Sequence, residues 1–331
     1  MTQSNTNLVA IIIPTLNEER FISRCLGSVL AQTYPVELMD ILVIDGGSRD
    51  RTREIVRAIQ TTHANIRLLD NPRRIQSAAF NIGVQQSDSP YIIRMDAHAT
   101  YEAHYVEQCV SLLAAHPEYG NVGGAWDVVP QDSSLIAWAN ALLNSLKFGI
   151  GGAAFRVGAT AGAVDTVPFG AFRRTVLEQV GSMREDLARG EDNEFNARIR
   201  QAGYTIWFTP AIRSNYYARA TWRSSCKQMF DNGVSIGRLI YVDPRAIGLR
   251  HLVPLAFVLA ILFALILSLF AIYGLYLLIA ILSAYAVAAM AATILACVKN
   301  SWKYVFILPP LFFSVHVSYG VGTLLGLIKR K

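Results

Sequence analysis

The chain has 331 residues, 53% of them hydrophobic and 16% charged, with a formal net charge of +6 and a mean hydropathy of +0.32. Soluble globular chains carry about 25% charged residues, and disordered chains pair high charge with few apolar residues, so both classes are excluded. Lys299, Lys303, Lys329, Arg330 and Lys331 lie beyond Leu252 with no acid among them, so the basic excess flanks apolar segments and does not indicate nucleic acid.

Residues 1–7 are polar with no apolar run, so no secretory signal is read there and the head is expected in the cytoplasm. Leu8–Ile13 is a continuous apolar run, as in a strand buried on both faces. Asn17 is expected to cap a helix with apolar Phe21, Ile22, Cys25, Leu26, Val29 and Leu30. A second strand, Ile41–Ile44, stops at Asp45-Gly46-Gly47-Ser48, and a helix covers roughly 52–59. Ile66–Leu69 is a third strand, followed by Asn71-Pro72 and a helix near 75–84; Tyr91–Met95 is the fourth, ending at Asp96-Ala97-His98. This alternation implies a parallel, doubly wound sheet. Thr15, Asn17, Glu18, Asp45, Asn71 and Asp96 all follow the carboxyl ends of strands, the edge where open α/β sheets bind ligands.

From Gly120 to Trp207 the pattern is less regular and rich in Gly and Ala. Gly190-Glu191-Asp192-Asn193-Glu194 opens a helix that ends at Gly203; Tyr204–Phe208 is a short strand that Thr209-Pro210 is expected to break. Arg213, Arg219, Arg223, Lys227, Arg238, Arg245 and Arg250 then outnumber Asp231 and Asp243, a balance that suits anionic headgroups or a phosphate-bearing ligand. Residues 252–298 contain no Asp, Glu, Lys, Arg or His, long enough to cross a bilayer twice, as 252–273 and 275–298. The third apolar segment, 304–328, carries Pro309-Pro310 and His316. It is expected to be re-entrant or interfacial, because a full crossing would leave Lys329-Arg330-Lys331 outside; a tilted span is the alternative. The four cysteines are widely separated, with no Cys-x-x-Cys, and suggest neither a disulfide framework nor a zinc site.

The strings VAIIIPTLNEE, LVIDGGSRDRT, NIGV, RMDAHA, FGAFRR and GEDNEFNARIRQAGY occur in that order across residues 8–210. Together they resemble the family 2 glycosyltransferases of GT-A fold, and the Asp-Ala-His-Ala variant resembles succinoglycan-type glucosyltransferases. The apolar C-terminal part resembles bacterial members that build exopolysaccharide or cell-surface glycans on a polyprenyl carrier. The resemblance implies an α/β, doubly wound nucleotide-diphospho-sugar transferase domain over 1–250, followed by a membrane domain over 251–331, in the bacterial inner membrane with the catalytic domain in the cytoplasm. It implies a nucleotide-sugar donor, UDP-linked, and a polyprenyl-diphosphate-linked acceptor.

By the same resemblance, Asp45 pairs with the nucleobase, and Pro14, Thr15, Glu18 and Arg74 line the nucleotide pocket. Asp in this position also organises a Gly-Gly turn with no ligand involved. Asp96 matches the first acid of the family's Asp-x-Asp motif, which holds Mg²⁺ or Mn²⁺ against the diphosphate. His98 stands where the second acid is usual; imidazole is a poorer Mg²⁺ ligand, and the residue reads equally as a hydrogen-bonded loop histidine. Asp192 matches the base of the inverting members, since an acceptor hydroxyl needs a carboxylate to take its proton, and Glu191 would raise its pKa by like-charge repulsion. The two acids would also favour a helix N-terminus without catalysis. Asn81, Arg173, Arg219 and Arg223 are candidates for diphosphate or acceptor contacts. The stretch Gln228-Met229-Phe230-Asp231-Asn232 lacks the Gln-x-x-Arg-Trp of processive members, so addition of a single sugar is expected. Transfer onto polyprenyl phosphate itself, and a non-catalytic nucleotide-binding membrane scaffold, are the alternatives.

Overall fold

The computed structural model describes residues 8–187 and 189–329. In chain order the elements are β1 (Val9–Thr15), α1 (Ile22–Leu30), β2 (Met39–Asp45), α2 (Thr52–Gln60), β3 (Ile66–Asp70), α3 (Gln76–Gln85), β4 (Tyr91–Arg94), β5 (Ala99–Tyr101), α4 (Tyr105–Ala115) and β6 (Tyr119–Pro130). There follow α5 (Leu135–Ser145), α6 (Lys147–Ile150), α7 (Ala154–Val157), β7 (Gly162–Ala163), β8 (Ala171–Arg173), α8 (Arg174–Val180), α9 (Glu191–Gln201) and β9 (Thr205–Ala218). The last four helices are α10 (Trp222–Val242), α11 (Val253–Ser268), α12 (Ile272–Lys299) and α13 (Leu308–Ile328).

The chain divides into two compact units, one of residues up to 127 with 158–216, the other of 128–157 with 217–331. This differs from a linear boundary at residue 250. The uncharged α5 and the polar stretch before the apolar helices both group with those helices, because chain order does not limit which surfaces pack together.

In the first unit the sheet order is β3-β2-β1-β4-β8-β6-β9-β5, with β7 on β9. β1 pairs in parallel with β2 and β4, and β2 with β3, as the alternation predicts. The other half is antiparallel, β8 on β4 and β5 and β7 on β9, which the irregular Gly- and Ala-rich stretch did not reveal. β1 and β2 are apolar on both faces, and α1 covers them with Ile22, Cys25, Leu26 and Val29, spaced three and four apart. Gly83 lets α3 close onto β1; a Cβ there would stand 2.7 Å from the Ile12 side chain.

Two local expectations are corrected. Asn17 caps no helix: it sits at φ 56°, and α1 begins at Ile22. Pro210 does not break its strand, because β9 runs 14 residues through it and Pro210 is exposed, where its lost N–H costs a ladder little.

The second unit has its own core, built from Ala139 and Leu143 of α5, Met229 of α10, Ala289 and Ala296 of α12, and Leu308, Leu311, Phe312 and Val315 of α13. α10 and α13 approach backbone to backbone through glycines: a Cβ on Gly233 would stand 2.1 Å from the Tyr319 carbonyl oxygen, and one on Gly326 2.2 Å from that of Val234. Residues 249–268, 272–299 and 308–328 form three helices long and apolar enough to cross a membrane. Pro309 and Pro310 occupy the first turn of α13, where no intrahelical donor is needed, so they do not interrupt it.

Candidate active site

The parallel strands end in register, with Thr15 opposite Asp45 and Asp45 opposite Asp70. Asp45 is fully buried. It accepts hydrogen bonds from the Gly47 and Ser48 N–H groups at 2.9 and 3.0 Å, from the Ser48 hydroxyl at 2.5 Å and from Arg53 at 2.8 Å. Arg53 also reaches Asp70 at 2.7 Å. Burial would push the Asp45 carboxyl up, but Ser48, Arg53 and the two backbone donors together hold it below the usual carboxylate range. The carboxylate therefore organises the Gly46-Gly47 turn, and the loop it shapes is what a ligand at this edge would meet. The Thr15 hydroxyl likewise turns back to the Ile13 carbonyl, at 3.0 Å, and Pro14 is half-buried beside it.

The neighbouring loop is tied to this turn. Asn17 N–H donates to Ser48 Oγ, Asn17 Oδ1 accepts from Arg49 N–H, and Glu18 N–H donates to Thr52 Oγ1, at 2.8 to 2.9 Å. Above them stands Arg74, exposed and at φ 58°, a left-handed conformation a bulky residue adopts only under constraint. Its guanidinium lies over Gly47, where a Cβ would meet Arg74 Nη2 at 3.5 Å.

The second cluster centres on a residue that the motif reading left out. Arg94, at the end of β4, is buried, and its guanidinium lies between two acids. It donates to Asp96 Oδ1 through Nε and Nη2, at 3.3 and 3.2 Å, and through Nη1 to Asp192 Oδ1. Gln76 donates to the same Asp96 oxygen at 2.8 Å. Among the described residues, none donates to Asp96 Oδ2. Burial opposes the charge on Arg94, but Asp192, Asp96 and Glu191 outweigh it and hold the guanidinium firmly protonated.

Gly190, at φ 81°, turns the chain into α9, which opens with Glu191 and Asp192. Burial, then the adjacent Asp192, push the Glu191 carboxyl well above the usual range. Glu191 is the more deeply buried of the two acids. Asp192 keeps a side chain 42% exposed.

His98 pairs with Glu18, Nδ1 to Oε1 at 3.2 Å, so two expected ligand contacts meet each other. Beside His98 a wall of stacked rings, Trp126 on Tyr216 at 4.2 Å, was also missed by the sequence. It forms only when β6 and β9 bring residues 90 apart in the chain together.

Two further candidates are held by bonds within the protein. Asn81 is buried, bonds Met183 through both its amide groups and donates to Glu185 at 2.8 Å, so it anchors the loop before α9. Arg173 is engaged by the carbonyls of His116, Pro117 and Tyr119. Arg219 and Arg223 are exposed residues of the second unit.

With this geometry in hand, the comparisons decide the family. The model described as "Glycosyl transferase family 2" matches residues 10–181. The succinoglycan biosynthesis protein ExoA of Rhizobium meliloti (strain 1021) is 34% identical over 251 residues, 74% of each chain. This chain is a family 2 glycosyltransferase.

A second relative of the glycosyltransferase, from Methanococcus voltae, is 28% identical over 330 residues and 98% of both chains. It is described as "Dolichyl N-acetyl-alpha-D-glucosaminyl phosphate 3-beta-D-2,3-diacetamido-2,3-dideoxy-beta-D-glucuronosyltransferase". Among solved structures, the mannosyltransferase PcManGT from Pyrobaculum calidifontis, in complex with GDP-Man and Mn²⁺, superposes with a TM-score of 0.61. It is 20% identical, and the match covers 98% of this chain and 88% of that one. The first unit thus has the GT-A fold that the resemblance implied.

Among the described residues no three His, Cys, Asp or Glu side chains converge as a metal cage. The donor set nevertheless fits a cation bound together with substrate: Mg²⁺ and Mn²⁺ sites in phosphate-handling enzymes use one or two carboxylates, with phosphate and water completing the shell. Asp96, with one oxygen that none of the described residues donates to and a side chain 14% exposed, is suited to that role.

Proposed function

We propose that this glycosyltransferase is inverting and non-processive, moving one sugar from a UDP-linked donor to a polyprenyl-diphosphate-linked saccharide at the cytoplasmic face of a bacterial inner membrane. The observation that carries the reading is the Arg94 guanidinium held between Asp96 and Asp192. One cation sets the acid suited to the donor's metal and the acid suited to the acceptor's proton a single side chain apart.

Asp192, the exposed member, takes the proton from the acceptor hydroxyl as that oxygen attacks the anomeric carbon. Asp96 would hold Mg²⁺ or Mn²⁺, which when bound neutralises the departing diphosphate. Arg94 keeps both carboxylates oriented, and Glu191, kept neutral by burial, adds no competing charge beside the base. Arg74, over the Gly47 turn, offers a guanidinium for the diphosphate or base. The name of the Methanococcus relative supports a lipid-linked saccharide as acceptor, and that of the Rhizobium relative supports exopolysaccharide synthesis.

The test is nucleotide release by the full chain in lipid from UDP-, GDP- and dTDP-sugars, with Mn²⁺ or Mg²⁺. The acceptors are a polyprenyl-diphosphate-linked saccharide and bare polyprenyl phosphate, with Asp192→Asn as control. Release from a UDP-sugar with the saccharide acceptor, lost with chelator and in Asp192→Asn, is expected. Release with bare polyprenyl phosphate alone would overturn the acceptor assignment, and undiminished turnover by Asp192→Asn would overturn the base.

A further inference from the structure

The second unit contains an element that neither the motifs nor the family resemblance accounts for. Residues 135–157 carry two charges, Lys147 and Arg156. They form α5, α6 and α7, and α5 and α6 share a core with α12 and α13. The contact has a definite level along α12. Tyr285 is the fourteenth of its 28 residues, about 20 Å from either end at 1.5 Å per residue. The Phe148 ring packs 5.8 Å from the Tyr285 ring and 5.1 Å from that of Phe312. His316 joins the three elements: its Nδ1 is 2.8 Å from the Tyr285 hydroxyl and its Nε2 is 2.8 Å from the Gly149 carbonyl oxygen. The turn between α5 and α7 therefore sits against the middle of α12. α5, with 11 residues, is about 16 Å long, close to half of a hydrocarbon core about 30 Å thick.

Side-chain polar groups inside lipid must find partners within the protein, and the two asparagines of α5 have them. Asn140 donates to the Arg219 carbonyl at 2.9 Å and accepts from the Ser225 hydroxyl at 2.8 Å. Asn144 donates to the Asn140 carbonyl and accepts from Arg156, both at 2.8 Å. α5 leaves Trp138 (44% exposed) and Leu135 (40%) outward, together with Ser145, whose hydroxyl donates to the Leu142 carbonyl at 2.9 Å. The Lys147 side chain is exposed, and its stem can lie along apolar surface.

We propose that α5–α7 is a re-entrant membrane element, entering one leaflet and turning at Gly149 beside the midpoint of α12, with acyl chains covering the Leu135 and Trp138 face. The proposal rests on α12 crossing the bilayer. It assigns the half-crossing to residues 135–157, a segment that hydropathy alone does not mark, and α12 supplies the depth marker.

The test uses the full chain in phosphatidylcholine vesicles carrying a photoactivatable diazirine either at the acyl terminus or next to the headgroup, with adducts mapped by mass spectrometry. The acyl-terminal probe is expected to label residues 135–150 as well as the centre of α12. Labelling of α12 by that probe with none in 135–157, or labelling of 135–157 by the headgroup-proximal probe alone, would overturn the re-entrant assignment while leaving the span intact. Failure of the acyl-terminal probe to label α12 would overturn the span, and with it the depth on which this proposal rests.

Discussion

Replacing Arg94 tests the proposed chemistry most directly, because one guanidinium serves both acids. Arg94→Met removes the cation and leaves Asp96, Asp192 and Glu191 facing one another in a largely dry site. Breaking a buried ion pair by deleting one partner costs about 3–5 kcal/mol. The Arg94 and Asp96 side chains are 8% and 14% exposed, but that of Asp192 is 42% exposed, so the loss should fall near the lower end, about 3 kcal/mol. Because general-base catalysis contributes about 10²–10⁴-fold, kcat should fall by about 10²-fold or more. Arg94→Lys keeps the charge and loses the fork that reaches two carboxylates. Its kcat should fall less. Steady-state nucleotide release in lipid measures this. Wild-type kcat in Arg94→Met would refute the shared-cation argument, and equal losses in the Met and Lys variants would show that packing, not charge, is responsible.

Four further outcomes follow from the same structure. Glu191 is raised in the folded state, so wild-type stability should fall as pH rises above the unfolded value of about 4.5. Glu191→Gln lacks that loss, and its thermal stability relative to wild type should improve between pH 5 and pH 8; a constant difference would refute it. Asp45 is depressed, so its contribution is present above the unfolded value of 3.8 and lost as pH falls through the folded one. Asp45→Asn should cost about 2–3 kcal/mol at pH 7, with the gap closing below pH 4, read from unfolding curves at both pH values. Gly237→Leu places a side chain where a Cβ already stands 2.3 Å from the Thr323 carbonyl oxygen, and it should destabilise the second unit by about 1–3 kcal/mol or more. Gly27→Ala in α1, with nothing within 4 Å, should instead stabilise by about 0.5–1 kcal/mol.

Much of this protein is legible in its local sequence, wherever one residue's chemistry suffices. Runs such as Val9–Ile13, bounded by turn residues, read as doubly buried strands, and polar residues at their carboxyl ends mark the binding edge, since backbone geometry puts those ends together. The uncharged run from 252 to 298 likewise declares its apolar surroundings. Three features were decided by tertiary packing. Asp45 faces its own turn because Ser48 and Arg53 fold over it, and a sequence does not state which donor reaches a carboxylate first. Arg94 is an ordinary-looking strand residue until α9 delivers Asp192 from 98 positions away. The segment around Gly149 reads as an irregular loop of small residues, and only its docking against Tyr285 and His316 makes it part of the second unit. Periodicity is a local property of the chain; the pairing of distant polar groups depends on which surfaces meet, and that is settled only when the core closes.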